Sequence, residues 1–156
     1  MRWHLAHRAD KACLPLADRH YNRQKIGSPQ FVQPGRCVVL KAESAIWVTS
    51  WPFPQYVKHA WAGAWINCLY RREGGEGLAS DWIREAVAAT RGIWGEPPPL
   101  GIVSFIDPLR VKPRKVRGRL AIGESYFSAG WAHVGYTKGG LWVMQQTPDT
   151  MPLAEC

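Results

Sequence analysis

Three stretches of the chain gather residues whose types and spacing could do chemistry. In RREGGEG, residues 71–77, Arg72, Gly75 and Gly77 lead into an amphipathic segment. Glycines let the backbone approach an anion, successive N–H groups can point outward together, and a helix start adds about half a positive charge. That is an anion cradle, although a short glycine motif alone equally describes a surface turn. In ADRHYNRQKIGSPQF, residues 17–31, His20 and Tyr21 stand between Arg19 and Arg23. A lone His-Tyr pair is usually structural, and Asp107 closes the apolar FIDP segment far along the chain. The third stretch, residues 110–119, carries Arg110, Lys112, Arg114, Lys115, Arg117 and Arg119. It reads either as a solvated face or as a phosphate clamp whose affinity comes from counterion release. Its place just after Asp107 favours the clamp.

The elements that must position these groups follow from apolar periodicity. Residues 13–21 read as a short helix with Pro15 near its start, and residues 22–34, rich in Gly, Pro, Ser and Gln, as a surface loop. CVVLK (37–41) and AIWVT (45–49) form a hairpin. Residues 51–59 are irregular because of Pro52 and Pro54. WAGAWINCLY (61–70) is a central strand running into the glycine turn. Ser80 then caps a helix whose apolar residues Ile83, Val87 and Trp94 share a face and which ends at Gly92 or Gly95. GIVSFI (101–106) is a buried strand, residues 109–119 a basic loop, and residues 131–136 and 141–145 two strands joined by the turn TKGG. The order predicts a single layered α+β domain, a mixed sheet with one dominant helix. Residues 1–11 and 148–156 lack sustained periodicity and are expected to be flexible.

Composition narrows the class. The 156 residues fit one domain, and 46% apolar content with nine Trp argues against disorder. Twenty Lys and Arg against twelve Asp and Glu give a net charge of +8, which favours polyanion partners but also simple solubility. Cys13, Cys37, Cys68 and Cys156 form no CxxC pair and read as reduced thiols, with Cys37 and Cys68 as small core residues. No apolar run nears the roughly 20 residues of a membrane span. A cytoplasmic location is expected.

The RxxGxG spacing between a strand and a helix resembles the coenzyme A pyrophosphate loop of the GNAT acyltransferases. The segment 17–31, the FIDP segment, and Gly130-Trp131 ahead of YTKGGL (136–141) together resemble the phage Mu Mom family over roughly residues 17–146. The resemblance implies a GNAT-like fold, a double-stranded DNA substrate, and conversion of adenine at its exocyclic amine to a carbamoylmethyl (acetamido) form that protects phage DNA from host restriction. It also implies that His20, Tyr21 and Asp107 either hold iron or work as a metal-free acid–base cluster, with His20 as proton acceptor and Asp107 orienting it. Imidazole, phenolate and carboxylate suit iron as ligands. By the same resemblance Arg84 matches a functional arginine, and Tyr126 and Ser128 of ESYFSAGW lie near the acceptor pocket. Arg72, Gly75, Gly77 and Arg84 are then the donor-binding set, and Arg19, Arg23, Arg110, Lys112, Arg114 and Lys115 the DNA-binding set.

The implied product carries a methylene on the adenine nitrogen, so acetyl transfer from acetyl-CoA does not by itself make it. An activated glycyl donor such as glycyl-tRNA does. Aminolysis forms the glycyl amide, the free glycyl amine attacks the ring carbon, and the original amine leaves that carbon as the carboxamide. Two rival functions are an ordinary GNAT acetyltransferase acting on a protein or small amine, and a non-catalytic DNA-binding module. The chain departs from the common GNAT pattern in having few residues before its first clear strand and no obvious second helix after residues 101–106. Stacking of Trp51, Trp61 or Phe53 on an extruded base is a further expectation, since chemistry on a paired base requires taking it out of the helix.

Overall fold

The computed structural model describes residues 2–7, 10–11, 13–20, 35–110, 114–116 and 119–155; for Tyr56 and residues 114–116 and 119–121 the description is of the backbone. A seven-stranded open sheet is built from β1 (His4–Ala6), β2 (Arg36–Ala42), β3 (Ala45–Trp51), β4 (Trp65–Arg72), β5 (Ile102–Ile106), β8 (Ala132–Tyr136) and β9 (Trp142–Gln146). Its order is β1-β2-β3-β4-β5-β9-β8. Every neighbouring pair is antiparallel except β4 and β5. Among the described residues three α-helices, α1 (Leu14–Asp18), α2 (Ala79–Trp94) and α3 (Glu124–Ser128), complete a mixed α+β domain, and a separate ribbon pairs β6 (Arg114–Val116) with β7 (Arg119–Ala121).

The central strands read as continuous apolar runs because both faces of the sheet are covered. Val38, Leu40, Trp47, Trp65 and Ile102 join the core beneath α2, while Val39, Ile46, Val48 and Leu69 pack with Leu16 and Ala17 of α1 on the other face. On α2 the buried positions Trp82, Ile83, Ala86, Val87 and Thr90 recur at helical spacing and form the stripe that seats it. Among the described residues no helix is long and apolar enough to cross a membrane.

Several elements differ from their sequence reading. The chain start supplies edge strand β1 and a buried Trp3, whose indole N–H donates to Trp82 O at 2.8 Å. At the other end, Met151 is buried and Glu155 N–H donates to Ala88 O, so backbone pairing and helix docking hold both aperiodic ends. Helix α1 is shorter than residues 13–21. Strand β4 begins at Trp65, four residues later than read, and extends to Arg72. Ser80 does not cap α2; it is buried in the first turn, and Leu78 occupies the cap position with no side-chain bond. The stretch read as a basic loop contains β6 and the start of β7, and the polar segment after it forms α3.

Candidate active site

The parallel pairing of β4 and β5 is brief. Trp65, Ile66 and Asn67 pair with Ile102, Val103 and Ser104, and beyond that point the strands part. Just there the β3–β4 register shifts, so that Val48 faces Leu69 while Thr49 faces Asn67, leaving Cys68 as the extra residue of a bulge. The mouth of the wedge holds a buried polar cluster. Asn67 is 2% exposed, and its amide nitrogen donates to Val48 O and Leu69 O, each at 3.1 Å. Its Oδ1 accepts the Tyr126 hydroxyl at 2.7 Å. Ser104 Oγ lies 3.2 Å from Asn67 O and Oδ1 and 3.5 Å from the Tyr126 hydroxyl. The Tyr126 ring packs against Trp131, Tyr70 and Trp47, centroid to centroid 4.9, 6.4 and 6.5 Å. Trp131 is buried, and its indole N–H has no hydrogen-bond partner among the described residues.

At the C-terminal end of β4 the glycine turn wraps around its own arginine. Arg72 Nε donates to Gly74 O at 3.1 Å, and Nη2 donates to Gly75 O at 2.8 Å and Gly77 O at 2.7 Å. The guanidinium also lies 5.0 Å from the centre of the Trp82 ring, whose N–H donates to Glu76 O at 2.8 Å. In a trans peptide a carbonyl and the following N–H point in opposite directions. With four successive carbonyls, Gly74 to Gly77, turned toward Arg72 and Trp82, the N–H groups of Gly75, Glu76, Gly77 and Leu78 turn away from them. Residues 75–78 are exposed, so these amides face outward ahead of α2. Only glycine fits position 75, where φ is +100° and a Cβ would lie 2.6 Å from the Trp82 ring.

A second arginine network lies beside this turn. Glu73 accepts Arg19 Nε and Arg71 Nε, both at 2.6 Å, and Arg71 Nη1 donates to Arg19 O at 3.0 Å. The Arg19 and then the Arg71 hydrogen bonds hold the Glu73 carboxyl down at about 2, from an ordinary 4.5. A depressed carboxyl favours the folded state fully above its ordinary value and loses that effect as pH falls through the lower one. The tie between the end of α1 and β4 should therefore persist at pH 5 and loosen only toward pH 2. Carbon-13 titration of the Glu73 carboxyl checks this, with Arg19→Ala expected to move its midpoint up toward 4.5.

The structure places the sequence candidates at different depths. Arg19 is in the Glu73 network, and His20 follows it with its backbone N–H donating to Ala17 O at 3.1 Å. Asp107 follows β5; its Oδ1 accepts Leu109 N–H at 3.0 Å and its Oδ2 lies 3.5 Å from Arg110 Nε. Tyr126 joins the wedge cluster. Ser128 is exposed, two residues further along α3 and so on the opposite side of that short helix. Its carbonyl accepts from Arg84, which also pairs with Asp81 at 2.8 Å, so Arg84 ties α2 to α3. Tyr21, Arg23 and Lys112 lie outside the described residues, and Arg114 and Lys115 fall on β6. Among the described residues no three His, Cys, Asp or Glu side chains converge as a metal site; the implied iron set of His20, Tyr21 and Asp107 includes Tyr21, which lies outside the described residues.

Asn67, Ser104 and Glu73 are the site residues that sequence reading misses. Asn67 and Ser104 carried a signal, since a polar side chain inside an otherwise apolar buried strand must find partners. Desolvation pushes the Cys68 thiol up to about 12 and Cys13 to about 11, which keeps both protonated and poor nucleophiles. Of the aromatics considered for base stacking, Trp51 is half-buried under the Arg36 guanidinium, 4.4 Å from its ring centre, and Trp61 packs on Phe105; Phe53 is exposed. Compared with models of protein families, with curated proteins and with solved structures, the chain has no match.

Proposed function

We propose that the chain is a transferase of GNAT-like architecture that modifies the exocyclic amine of adenine in double-stranded DNA. The observation that carries this reading is the pairing of a parallel strand wedge with an outward amide turn. Parallel β4 and β5 part after Asn67 and Ser104, and the turn between β4 and α2 faces its N–H groups outward at the start of a helix. A donor with a phosphate or pyrophosphate ester would bind there, its charge met by four amides and the helix dipole. Its acyl end would reach the gap between the strands. The position of β9 between β5 and β8 and the Mom-like segments of the sequence support the same reading.

Within the wedge the residues have separable roles. The unpartnered Trp131 N–H offers a donor to an acyl oxygen. The Tyr126 hydroxyl, held by Asn67 Oδ1, is placed to give a proton to the departing oxygen of the donor. By the Mom-like segment, His20 is the proposed acceptor of the proton released from the adenine amine, although it follows α1 on the opposite face of the sheet from Tyr126 and Trp131; Asp107, tied to Arg110, lies at the end of β5. An activated glycyl ester remains the donor class that accounts for a methylene-linked product. Iron enters no step of this scheme.

The test is mass spectrometry of nucleosides from the DNA of cells expressing the protein. A carbamoylmethyl adenine is expected with the wild-type chain and absent with His20→Ala. Tyr126→Phe, which keeps the ring packing, is expected to reduce it by about 100-fold, the scale of a lost proton donor. Unmodified DNA under good expression, with acetyl-CoA turnover on a protein or small amine instead, would move the chain to the ordinary GNAT acetyltransferases.

A further inference from the structure

Strand β8 lies at the edge of the large sheet, and its alternation is broken once. His133 pairs with Met144 and Gly135 with Val143, so Val134 is the extra residue of a bulge. In an unbroken strand His133 and Tyr136, three residues apart, would project to opposite faces. The bulge brings them to one face. His133 stands opposite Met144 and Tyr136 opposite Trp142, and those two residues of β9, two apart, share a side. Three rings meet there. The His133 imidazole lies flat on the Trp142 indole, centroids 3.5 Å apart with 10° between the planes. Tyr136 stands edge-on to both, 5.1 Å from His133 at 82° and 5.9 Å from Trp142 at 90°. Hydrogen bonds hold two of the rings. His133 Nε2 lies 3.0 Å from Gly135 O, and since a carbonyl only accepts, Nε2 carries the hydrogen. Trp142 Nε1 donates to Met144 Sδ at 3.0 Å. Tyr136 is 57% exposed, and His133 and Trp142 are half-buried, so the corner is both ordered and open to solvent. A planar ligand that stacks on rings already in place costs little further ordering.

We propose that His133, Tyr136 and Trp142 form a platform on which an unpaired nucleobase of the bound DNA stacks, an assignment that rests on the reading of DNA as the substrate. The platform shares a face with the wedge. Ser104, beside the Tyr126 hydroxyl, pairs with Met144, and Ile106 pairs with Trp142, so the rings and Tyr126 lie on the same side of the sheet. Across β9, His133 is two strand spacings, about 10 Å, from Ser104. Chemistry on a paired base takes that base out of the helix, and a stacking surface beside the wedge offsets the lost stacking. The chain's net charge of +8 favours a polyanionic strand and disfavours a methylated ammonium, the other ligand that aromatic corners take. Stacking tolerates every base, so the platform holds the strand and does not choose its sequence.

The experiment measures fluorescence anisotropy of a short labelled oligodeoxyadenylate, and of an abasic strand of equal length that has the phosphates without the bases, against the full chain. The wild type should bind the adenylate about 10-fold or more tighter than the abasic strand. A His133→Ala, Tyr136→Ala variant, whose thermal melt is recorded to verify folding, should bring the two affinities within about 2-fold and leave the abasic affinity and its salt slope unchanged. Tyr136→Phe keeps the ring and should keep the preference. If the double variant melts early, Tyr136→Ala alone, at an exposed side chain, should still cut the preference by about 3-fold. An unchanged preference in the folded variants overturns the proposal, as does its loss with Phe53→Ala instead, a wild type without preference, or tighter binding of a trimethyllysine peptide. Modified adenine is scored separately in cells. Platform-dependent base preference without modified adenine sinks the enzymatic reading and spares the platform, whereas modified adenine with the preference intact in the variant does the reverse.

Discussion

Asn67→Ala is expected to lower unfolding free energy by about 3 kcal/mol and Tm by roughly 6 to 12 °C. The Asn67 side chain is the node of the wedge. Its amide satisfies carbonyls of both β3 and β4 at the bulge, and its oxygen holds Tyr126 of α3. Truncation removes those bonds at once, takes from the partly buried Tyr126 hydroxyl its acceptor at 2.7 Å, and opens a small cavity. Chemical denaturation of the two proteins measures the difference. A loss below about 1 kcal/mol would mean that the cluster is held by the surrounding aromatics and not by this amide. Because Tyr126 loses its anchor, the proposed adenine modification should fall with Asn67→Ala even under conditions where the variant stays folded.

The second large effect is expected at Gly101, the residue that launches β5. Its φ is +69°, and a Cβ there would lie 2.0 Å from Gln146 O and 2.9 Å from Thr147 Cα, both backbone atoms of the neighbouring strand and its exit. Its carbonyl accepts Trp65 N–H at 2.9 Å, so the same residue fixes the start of the parallel pairing with β4. Gly101→Ala adds the left-handed conformational penalty of about 1 to 2 kcal/mol to a backbone collision that side-chain movement cannot relieve. A total of about 4 kcal/mol is expected. Gly95→Ala is the control, since φ is +81° there but nothing lies within 4 Å of the added carbon. Equal destabilisation by the two substitutions would refute the steric account.

The strands and the main helix were legible because burial on two faces writes itself into sequence as apolar runs, and burial on one helix face as a stripe. Residues 37–41, 45–49 and 101–106 fall on β2, β3 and β5, and the stripe through Ile83 and Val87 falls on α2. Boundaries were less legible. Ser80 has the residue type of a cap, yet the helix starts at Ala79 because Arg72 and Trp82 hold the preceding turn, a contact across residues that local preference does not encode. Strand β1 was illegible because an edge strand of three residues with exposed positions has no apolar period to announce it.

For the candidate site, the sequence determined the inventory: a glycine turn with an arginine before it, a His-Tyr segment, an aspartate closing an apolar strand, and a basic run. Residue type and local spacing are sufficient for that, because each motif lies within one short segment. Only the tertiary structure decided what those residues do to one another. It turned Arg72 inward, so that the backbone amides and not the guanidinium face out, and it tied Arg84 to α3. It also joined Asn67, Ser104 and Tyr126, which come from two strands and a helix, at the point where β4 and β5 part. Such a cluster depends on strand register and helix docking, which are set by long-range packing and leave no trace in the spacing along the chain.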